Sequence, residues 1–248
     1  MSADANDGLS RRGFLAISAA TLGGVMLAPG IRLIEIAGAR APEQAASRQV
    51  RWGLLIDTNK CAPGCDDCVK ACATENGIKA SGHPRTDSQW IRKVELKDMR
   101  SGRVHSAPVM CQHCEHPPCV DVCPTGASFK RADGIVLVDR HICIGCRYCM
   151  MACPYKARSI VFEEVTDQNP EVPRGKGCVE GCTLCVHRID RDRQPACVEA
   201  CAKAGHNAMI FGDLNDPQSE IAQRVAKYAS TQIRADLKLN PGVRYQGL

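Results

Sequence analysis

Residues 143–154 read CIGCRYCMMACP. The four cysteines of this stretch are separated by two, two and three residues, and a proline follows the last of them. Such spacing is typical of iron–sulfur proteins, in which the first three thiolates hold one cluster and the fourth, one helical turn further on, faces another. The stretch therefore predicts paired [4Fe–4S] clusters and a fold built around them.

The remaining cysteines repeat this pattern along the chain. Sixteen of the seventeen cysteines fall into four groups, and Cys178 is left over. In chain order the groups are Cys61, Cys65, Cys68 and Cys72; Cys111, Cys114, Cys119 and Cys123; Cys143, Cys146, Cys149 and Cys153; and Cys182, Cys185, Cys197 and Cys201. Because each [4Fe–4S] cluster takes four thiolates, sixteen grouped cysteines predict four clusters.

Zinc sites and disulfide bonds are the alternative uses of so many cysteines. Zinc takes two Cys-x2-Cys pairs per ion and gives the Cys-x3-Cys-Pro endings of the second and third groups no role. A disulfide framework is typical of secreted chains shorter than about 100 residues, and thiols clustered this closely are poorly placed for bridging. Four ordered groups therefore favour iron–sulfur clusters.

The composition of the 248-residue chain agrees with a fold held by metal centres. Only 4% of the residues are aromatic, so the cysteines must replace a core of large side chains. The formal net charge is +5. Four clusters of about −2 each would change it to about −3, which argues against a nucleic-acid partner. After residue 40 no apolar run reaches the ~18 residues of a membrane span.

The first 39 residues resemble a twin-arginine export signal. Arg11 and Arg12 precede an apolar stretch at 14–27, and the sequence AGA at 37–39 resembles a cleavage site. This route exports proteins that are already folded, which would protect the cysteines from an oxidising compartment. We therefore expect a periplasmic protein that receives its clusters before export. An ordinary amphipathic helix and an uncleaved anchor are the alternatives.

Local patterns predict short strands and helices between the cysteine groups. The expected elements are strands at 50–57 and 159–164, a helix at 66–76, and a hairpin of 128–130 with 135–138 about Asp133-Gly134. The repeated order of strand, cysteine group, helix and strand indicates an α+β fold of paired ferredoxin-like units. The charged stretch at 187–193 is expected to be a solvated loop, with a docking site as the alternative.

The sequence contains no pattern for substrate chemistry. It has no Ser-His-Asp arrangement, no P-loop and no Gly-x-Gly-x-x-Gly run. His113 and His116 lie inside the second group, but each group already supplies four thiolates. We interpret both histidines as packing residues or hydrogen-bond donors to cluster sulfur. The chain is expected to carry electrons and to have no catalytic site of its own.

The order and content of the groups resemble a known family. The sequences CQHCEHPPC at 111–119 and CIGCRYC at 143–149 are similar to those of the four-cluster ferredoxin-like electron-transfer subunits. These subunits accompany dimethyl-sulfoxide, polysulfide and tetrathionate reductases and certain hydrogenases. The resemblance covers about residues 50–212. With its export signal and RWGLLID at 51–57, the chain is most similar to the DsrO branch, the periplasmic iron–sulfur subunits of a sulfur-metabolism complex.

The resemblance implies two pseudo-symmetric bacterial-ferredoxin-like units, one inserted in the other, with long loops. Residues 40–105 and 178–212 would form the first unit, 106–177 the inserted unit, and 213–248 a C-terminal helix and tail. The implied ligand sets are Cys61, Cys65, Cys68 and Cys201 for cluster 1; Cys72, Cys182, Cys185 and Cys197 for cluster 2; Cys111, Cys114, Cys119 and Cys153 for cluster 3; and Cys123, Cys143, Cys146 and Cys149 for cluster 4.

The resemblance also implies partners. A polytopic membrane subunit that reacts with quinone would lie on one side of the electron path, and a subunit with haem c on the other. The chain would be membrane-associated through these partners. The alternatives are the iron–sulfur subunit of a molybdopterin reductase and a free-standing soluble ferredoxin shuttle.

Two features depart from the family pattern. Three residues, where the family usually has two, separate Cys61 from Cys65. The Pro63-Gly64 pair is expected to let this loop bulge so that both thiolates reach iron. The surplus Cys178 could replace Cys197 as a ligand, or it could pack as a small buried side chain.

Overall fold

The computed structural model describes residues 45–248. The proposed export signal at 1–39 lies outside the described residues. Within 45–248, no helix is both long and apolar enough to cross a membrane. The chain in this range forms the mixture of helices and strands that the sequence predicts.

The elements are short and alternate along the chain. In order they are β1 (Trp52–Asp57), α1 (Asp67–Glu75), β2 (Ile91–Lys97), β3 (Val104–Met110), α2 (Pro118–Asp121), β4 (Ser128–Lys130), β5 (Val136–Val138), α3 (Tyr148–Ala152), β6 (Arg158–Ile160), β7 (Val179–Gly181), α4 (Val186–Ile189), α5 (Ala196–Lys203), β8 (Met209–Asp213), α6 (Glu220–Lys227), a 3-10 turn (Ala235–Leu237) and β9 (Val243–Gln246).

A three-stranded sheet of order β8-β1-β9 forms the centre of the largest core. Strand β1 pairs antiparallel with β8 and parallel with β9. Its residues Leu54, Leu55 and Ile56 are at most 1% exposed. Such a continuous apolar run is typical of a strand covered on both faces. The range 213–248 was expected to be a C-terminal helix and tail. It contains the helix α6, but its end is a strand, β9, which completes this sheet.

The predicted local elements are confirmed with small changes at their ends. The helix predicted at 66–76 runs from Asp67 to Glu75, with Asp66 and Asn76 at its caps. The predicted hairpin forms as β4 and β5, and Gly134 in its turn has φ of +89°. That positive φ is readily available to glycine, because it has no Cβ. The strand predicted at 159–164 is shorter, since β6 ends at Ile160.

The charged stretch at 187–193 corrects one expectation. Its first half is helical in α4, and Arg188 is only 4% exposed. The Arg188 guanidinium forms ion pairs with Glu75 and Glu199, which lie on α1 and α5. A buried arginine is tolerated where carboxylates compensate its charge. This part of the stretch therefore joins helices and is not a solvated loop.

Helix pairs bring the cysteine groups together. Helix α1 of the first group packs against α5 of the fourth, and Cys68, Cys72, Cys197 and Cys201 share the largest core. Helix α2 of the second group contacts α3 of the third, where Cys119 and Cys149 are buried in a smaller core. The same kind of helix pair thus occurs twice.

Candidate metal centres

The sixteen grouped cysteines converge in four places. Centre 1 is a cavity lined by Cys61, Cys65, Cys68 and Cys201. Centre 2 is a cavity lined by Cys72, Cys182, Cys185 and Cys197. Centre 4 is a cavity lined by Cys123, Cys143, Cys146 and Cys149. At centre 3, Cys111, Cys114 and Cys153 pack together, and Cys119 interacts electrostatically with Cys114 and Cys153.

Helix geometry explains why one group serves two centres. Cys68 and Cys72 are one turn apart on α1, and they line different cavities. On α5, Cys201 joins Cys68 in centre 1, whereas Cys197 joins Cys72 in centre 2. Residues four apart lie on the same helix face about 6 Å along the axis. Two such helices packed in opposite directions therefore present two thiol pairs to two neighbouring centres.

Burial makes these thiols unfavourable as isolated anions. Burial raises the pKa of Cys68 to about 11, although Lys93 acts to lower it. Burial likewise raises the pKa values of Cys111 and Cys114 to about 12. A buried thiolate needs a compensating positive charge, and the iron of an iron–sulfur cluster supplies it to a set of four thiolates. The donor chemistry of all four centres fits [4Fe–4S] clusters.

Backbone amides add hydrogen bonds to the sulfur atoms. The Ala208 N–H group donates to Cys201 of centre 1 at 3.3 Å, and the Leu184 N–H group donates to Cys182 of centre 2 at 3.4 Å. At centre 4, the N–H groups of Ser128 and Val179 donate to Cys123 at 3.3 Å and to Cys143 at 3.4 Å. Hydrogen bonds to cluster sulfur stabilise the more negative, reduced state. The loops that carry the cysteines therefore also supply part of the electrostatic environment.

Shared elements bring neighbouring centres close together. Cys68 and Cys72 lie on α1, Cys111 and Cys182 line one cavity, and Cys119 and Cys149 belong to one core. Cys68 of centre 1 interacts electrostatically with Cys72 of centre 2. Cys111 of centre 3 interacts in the same way with Cys182 of centre 2. Cys119 of centre 3 interacts with Cys149 of centre 4. The centres consequently follow one another in the order 1, 2, 3 and 4.

The two departures from the family pattern have structural outcomes. The loop between Cys61 and Cys65 contains Gly64 at φ of +73°, and both cysteines line centre 1. Cys178 is not among the residues that line the cavity of centre 2. Its Sγ atom is 3.3 Å from the carbonyl oxygen of Arg140, and it interacts with Cys143 of centre 4. This position favours the packing interpretation of Cys178 over its use in place of Cys197.

The two histidines of the second group differ in environment. His113 is 1% exposed, and its Nδ1 atom accepts a hydrogen bond from the Val136 amide at 3.0 Å. Burial lowers the pKa of His113 to about 3, so the ring is neutral. This agrees with the packing interpretation of His113, whereas His116 lies exposed on the loop.

Three side chains that donate an N–H group to sulfur were not identified from the sequence. Lys93 Nζ is 2.8 Å from Cys61 Sγ, Asn76 Nδ2 is 3.5 Å from Cys72 Sγ, and Arg158 Nη2 is 3.2 Å from Cys119 Sγ. Asn76 follows the first group by four residues, so its helical spacing from Cys72 was a usable signal. Lys93 and Arg158 reach their cysteines across 32 and 39 residues of chain, for which local patterns give no signal.

Comparisons with known proteins bear on the cofactor and on the family of the chain. Residues 60–127 and 103–214 each match a family model described as a 4Fe-4S dicluster domain. The chain is 41% identical, over 97% of its length and 98% of the relative's, to the Hdr-like menaquinol oxidoreductase iron-sulfur subunit 1 of Archaeoglobus fulgidus. It is 36% identical to a tetrathionate reductase subunit of Salmonella typhimurium, covering 90% of this chain and 84% of that one.

A third relative is also an iron–sulfur subunit. This putative dimethyl sulfoxide reductase subunit of Halobacterium salinarum is 37% identical, and the match covers 78% of each chain. Together with the dicluster models and the sixteen grouped thiols, these relatives establish the cofactor as four [4Fe–4S] clusters. The chain belongs to the family of four-cluster, ferredoxin-like iron–sulfur subunits that transfer electrons in oxidoreductases.

Proposed function

We propose that the chain is the exported electron-transfer subunit of a membrane-bound oxidoreductase of sulfur metabolism, between a quinone-reactive membrane subunit and a subunit with haem c. The observation that carries the proposal is the series of centres, in which each centre shares a helix, a cavity wall or a core with the next. When bound, the clusters supply reversible one-electron oxidation and reduction. The protein's part is to hold them in sequence and to set their electrostatic surroundings.

The ligand sets of the four clusters follow the four centres. Each cluster occupies the centre of the same number, and its ligands are the four cysteines of that centre. Groups one and four thus serve the first unit, 40–105 with 178–212, and groups two and three serve the inserted unit, 106–177. The two helix pairs, α1 with α5 and α2 with α3, support this division.

The surface beside centre 4 is suited to contact with a redox partner. Cys146 is the exposed cysteine among the seventeen, all of which lie in the described range. Ile144, Tyr148 and Met151 beside it are 67%, 54% and 64% exposed. Exposed apolar residues grouped together are typical of interaction sites. A redox subunit docked here would approach the cluster through the Cys146 sulfur and exclude water from the contact.

Export by the twin-arginine route accounts for the location of the complex. Arg11 and Arg12 lie outside the described residues, so the argument rests on the sequence. Seventeen reduced thiols would be exposed to oxidation if the chain crossed the membrane unfolded. Folding around iron in the cytoplasm, followed by export, avoids that exposure and brings the subunit to the periplasm.

A second candidate function is the electron-transfer subunit of a molybdopterin reductase. The similarity to tetrathionate and dimethyl sulfoxide reductase subunits favours it. In that case the haem c subunit would be replaced by a large catalytic subunit. In a third arrangement the chain would work alone as a soluble shuttle.

Purification from detergent-solubilised membranes of the native host separates these arrangements. We expect a tagged chain to bring down a polytopic membrane protein and a protein with covalently bound haem. A large molybdenum-containing protein in place of the haem protein would favour the second candidate. Recovery of the chain alone, from the soluble fraction, would contradict both complexes.

A surface variant tests the docking surface in the same experiment. Ile144→Asp introduces a charge beside Cys146. It should abolish the copurification of the redox subunit that docks on this surface, while the chain retains all its iron. Met99→Asp is the matched control, because Met99 is 87% exposed but belongs to the loop between β2 and β3. If Ile144→Asp copurifies as well as the control does, the partner does not dock on this surface.

A further inference from the structure

Arg158 is buried between two of the centres. It is the first residue of β6, and it is 8% exposed. Its Nη2 atom lies 3.2 Å from the Sγ atom of Cys119, a residue of centre 3. Its charge also interacts with Cys149 of centre 4 and with Cys111 of centre 3. One guanidinium therefore faces sulfur atoms of two centres.

Arg158 differs from the other buried arginines in its partners. Arg174 and Arg188 each form ion pairs with carboxylates, Glu180 and Glu75, at 2.7 and 2.8 Å. Within residues 45–248, no carboxylate forms an ion pair with Arg158. The nearby Glu180 already binds Arg174 through both of its carboxylate oxygens. A buried cation without a counter-ion costs several kcal/mol, so Arg158 must be compensated by something else.

The available compensation is negative charge on sulfur. The Nη2 atom of Arg158 is 3.2 Å from the Sγ atom of Cys119, which packs in one core with Cys149 of centre 4. The Nη1 atom of Arg158 is buried and has no hydrogen-bond partner among the described residues. A guanidinium presents five N–H donors in a planar fork, which allows it to serve acceptors on two sides. Two clusters held by thiolates fit this unsatisfied donor.

We propose that Arg158 is a positioning residue that raises the reduction potentials of clusters 3 and 4 together. Reduction adds a negative charge to a cluster, and a nearby buried cation stabilises that charge. Because one guanidinium faces both clusters, its charge stabilises an added electron on each of them. Arg158 thus raises both potentials. The inference rests on the ligand sets proposed above.

The test compares variants of the full chain, purified without oxygen and loaded with iron. Arg158→Gln removes the charge but keeps an N–H donor. We expect the midpoint potentials of two of the four clusters to fall, each by at least a tenfold change in the equilibrium constant of reduction, which is about 59 mV for one electron. Arg158→Lys retains the charge, and we expect both potentials to stay within that limit. Redox titration followed by electron paramagnetic resonance gives the four values.

Arg131→Gln is the matched control. Arg131 is also partly buried, but its charge is paired with the carboxylates of Asp133 and Asp190. All four potentials should remain unchanged in this variant. Four unchanged potentials in iron-replete Arg158→Gln would overturn the proposal, and so would a shift confined to one cluster in that variant. A shift of the same size in Arg158→Lys would also overturn it.

Two further comparisons complete the test. Arg158→Met is a second neutral variant in case the glutamine protein does not keep its iron. If neither neutral variant retains iron while the lysine variant does, Arg158 retains clusters and does not tune them, and the proposal fails. Cys119→Ser and Cys149→Ser identify the signals of clusters 3 and 4. If Arg158→Gln shifts two signals other than these, the ligand sets are wrong, which is a separate failure.

Discussion

The Nζ atom of Lys93 lies 2.8 Å from the Sγ atom of Cys61. Lys93 is half-buried on β2 and lines the cavity of centre 1. Centre 1 thus has its own cation, and Arg158 is shared by centres 3 and 4. At centre 2 the side chain that donates to sulfur is the neutral amide of Asn76. The charges next to sulfur therefore differ along the series of centres, and reduction potentials depend on such charges.

Replacing Lys93 by Gln should lower the reduction potential of one cluster. The amide can still donate a hydrogen bond, but the positive charge that stabilises the reduced cluster is lost. We expect at least a tenfold change in the equilibrium constant of reduction for the cluster whose signal Cys68→Ser alters, measured by redox titration. Lys79→Gln is the control, because Lys79 pairs with Asp167 on the surface. A change in a different cluster, or in none, would contradict the prediction.

The position of Lys93 illustrates what the sequence could and could not predict. The cysteine spacing sufficed for the cofactor type, and the ends of α1 were predicted to within one residue. Spacing and capping are local properties, so they can be read from neighbouring residues. The contact between Lys93 and Cys61 depends instead on how β2 is packed against the first group. Strand β9 was not predicted for a similar reason, because its pairing joins residues 243–246, at the far end of the chain, to β1.

Iron content tests the ligand sets and the role of Cys178. The unaltered chain should contain about sixteen iron atoms, four for each of four cubane clusters. Cys178→Ser should leave this content and all four spectra unchanged, because Cys178 belongs to none of the ligand sets. Its thiol lies against the Arg140 carbonyl oxygen and beside Cys143. Cys197→Ser should cost iron, since a serine oxygen is a poor ligand for this soft site. Loss of iron from Cys178→Ser, with full iron content in Cys197→Ser, would assign Cys178 as the ligand.

The double variant Arg11→Lys, Arg12→Lys tests the export signal. Lysine keeps the charge but not the arginine pair that the twin-arginine route requires. The variant should accumulate in the cytoplasm with its full iron content, as measured by cell fractionation and iron analysis. Replacing Arg48, which lies beyond the signal segment, should not alter export. Normal export of the double variant would show that residues 1–39 serve another purpose.

Glu75 should stabilise the packing of the helices around centres 1 and 2. Its carboxylate binds His187 Nε2 and Arg188 Nη1, both at 2.8 Å, and so joins α1 to α4. Burial acts to raise the pKa of Glu75, but these two partners outweigh it and lower the pKa, which shows that the ionised form is favoured in the fold. Glu75→Gln removes the charge and leaves Arg188, which is buried, with Glu199 as its remaining carboxylate.

We expect Glu75→Gln to reduce the free energy of unfolding by about 1–3 kcal/mol, because hydrogen bonds to charged groups are lost where water cannot replace them. Thermal unfolding of the iron-loaded chain, followed by circular dichroism, should show a lower midpoint. Glu171→Gln is the matched control: Glu171 pairs with Arg191, and both side chains are more than a third exposed, so its loss should cost less than about 1 kcal/mol. Equal midpoints for the two variants would mean that the contact between α1 and α4 does not depend on this ion pair.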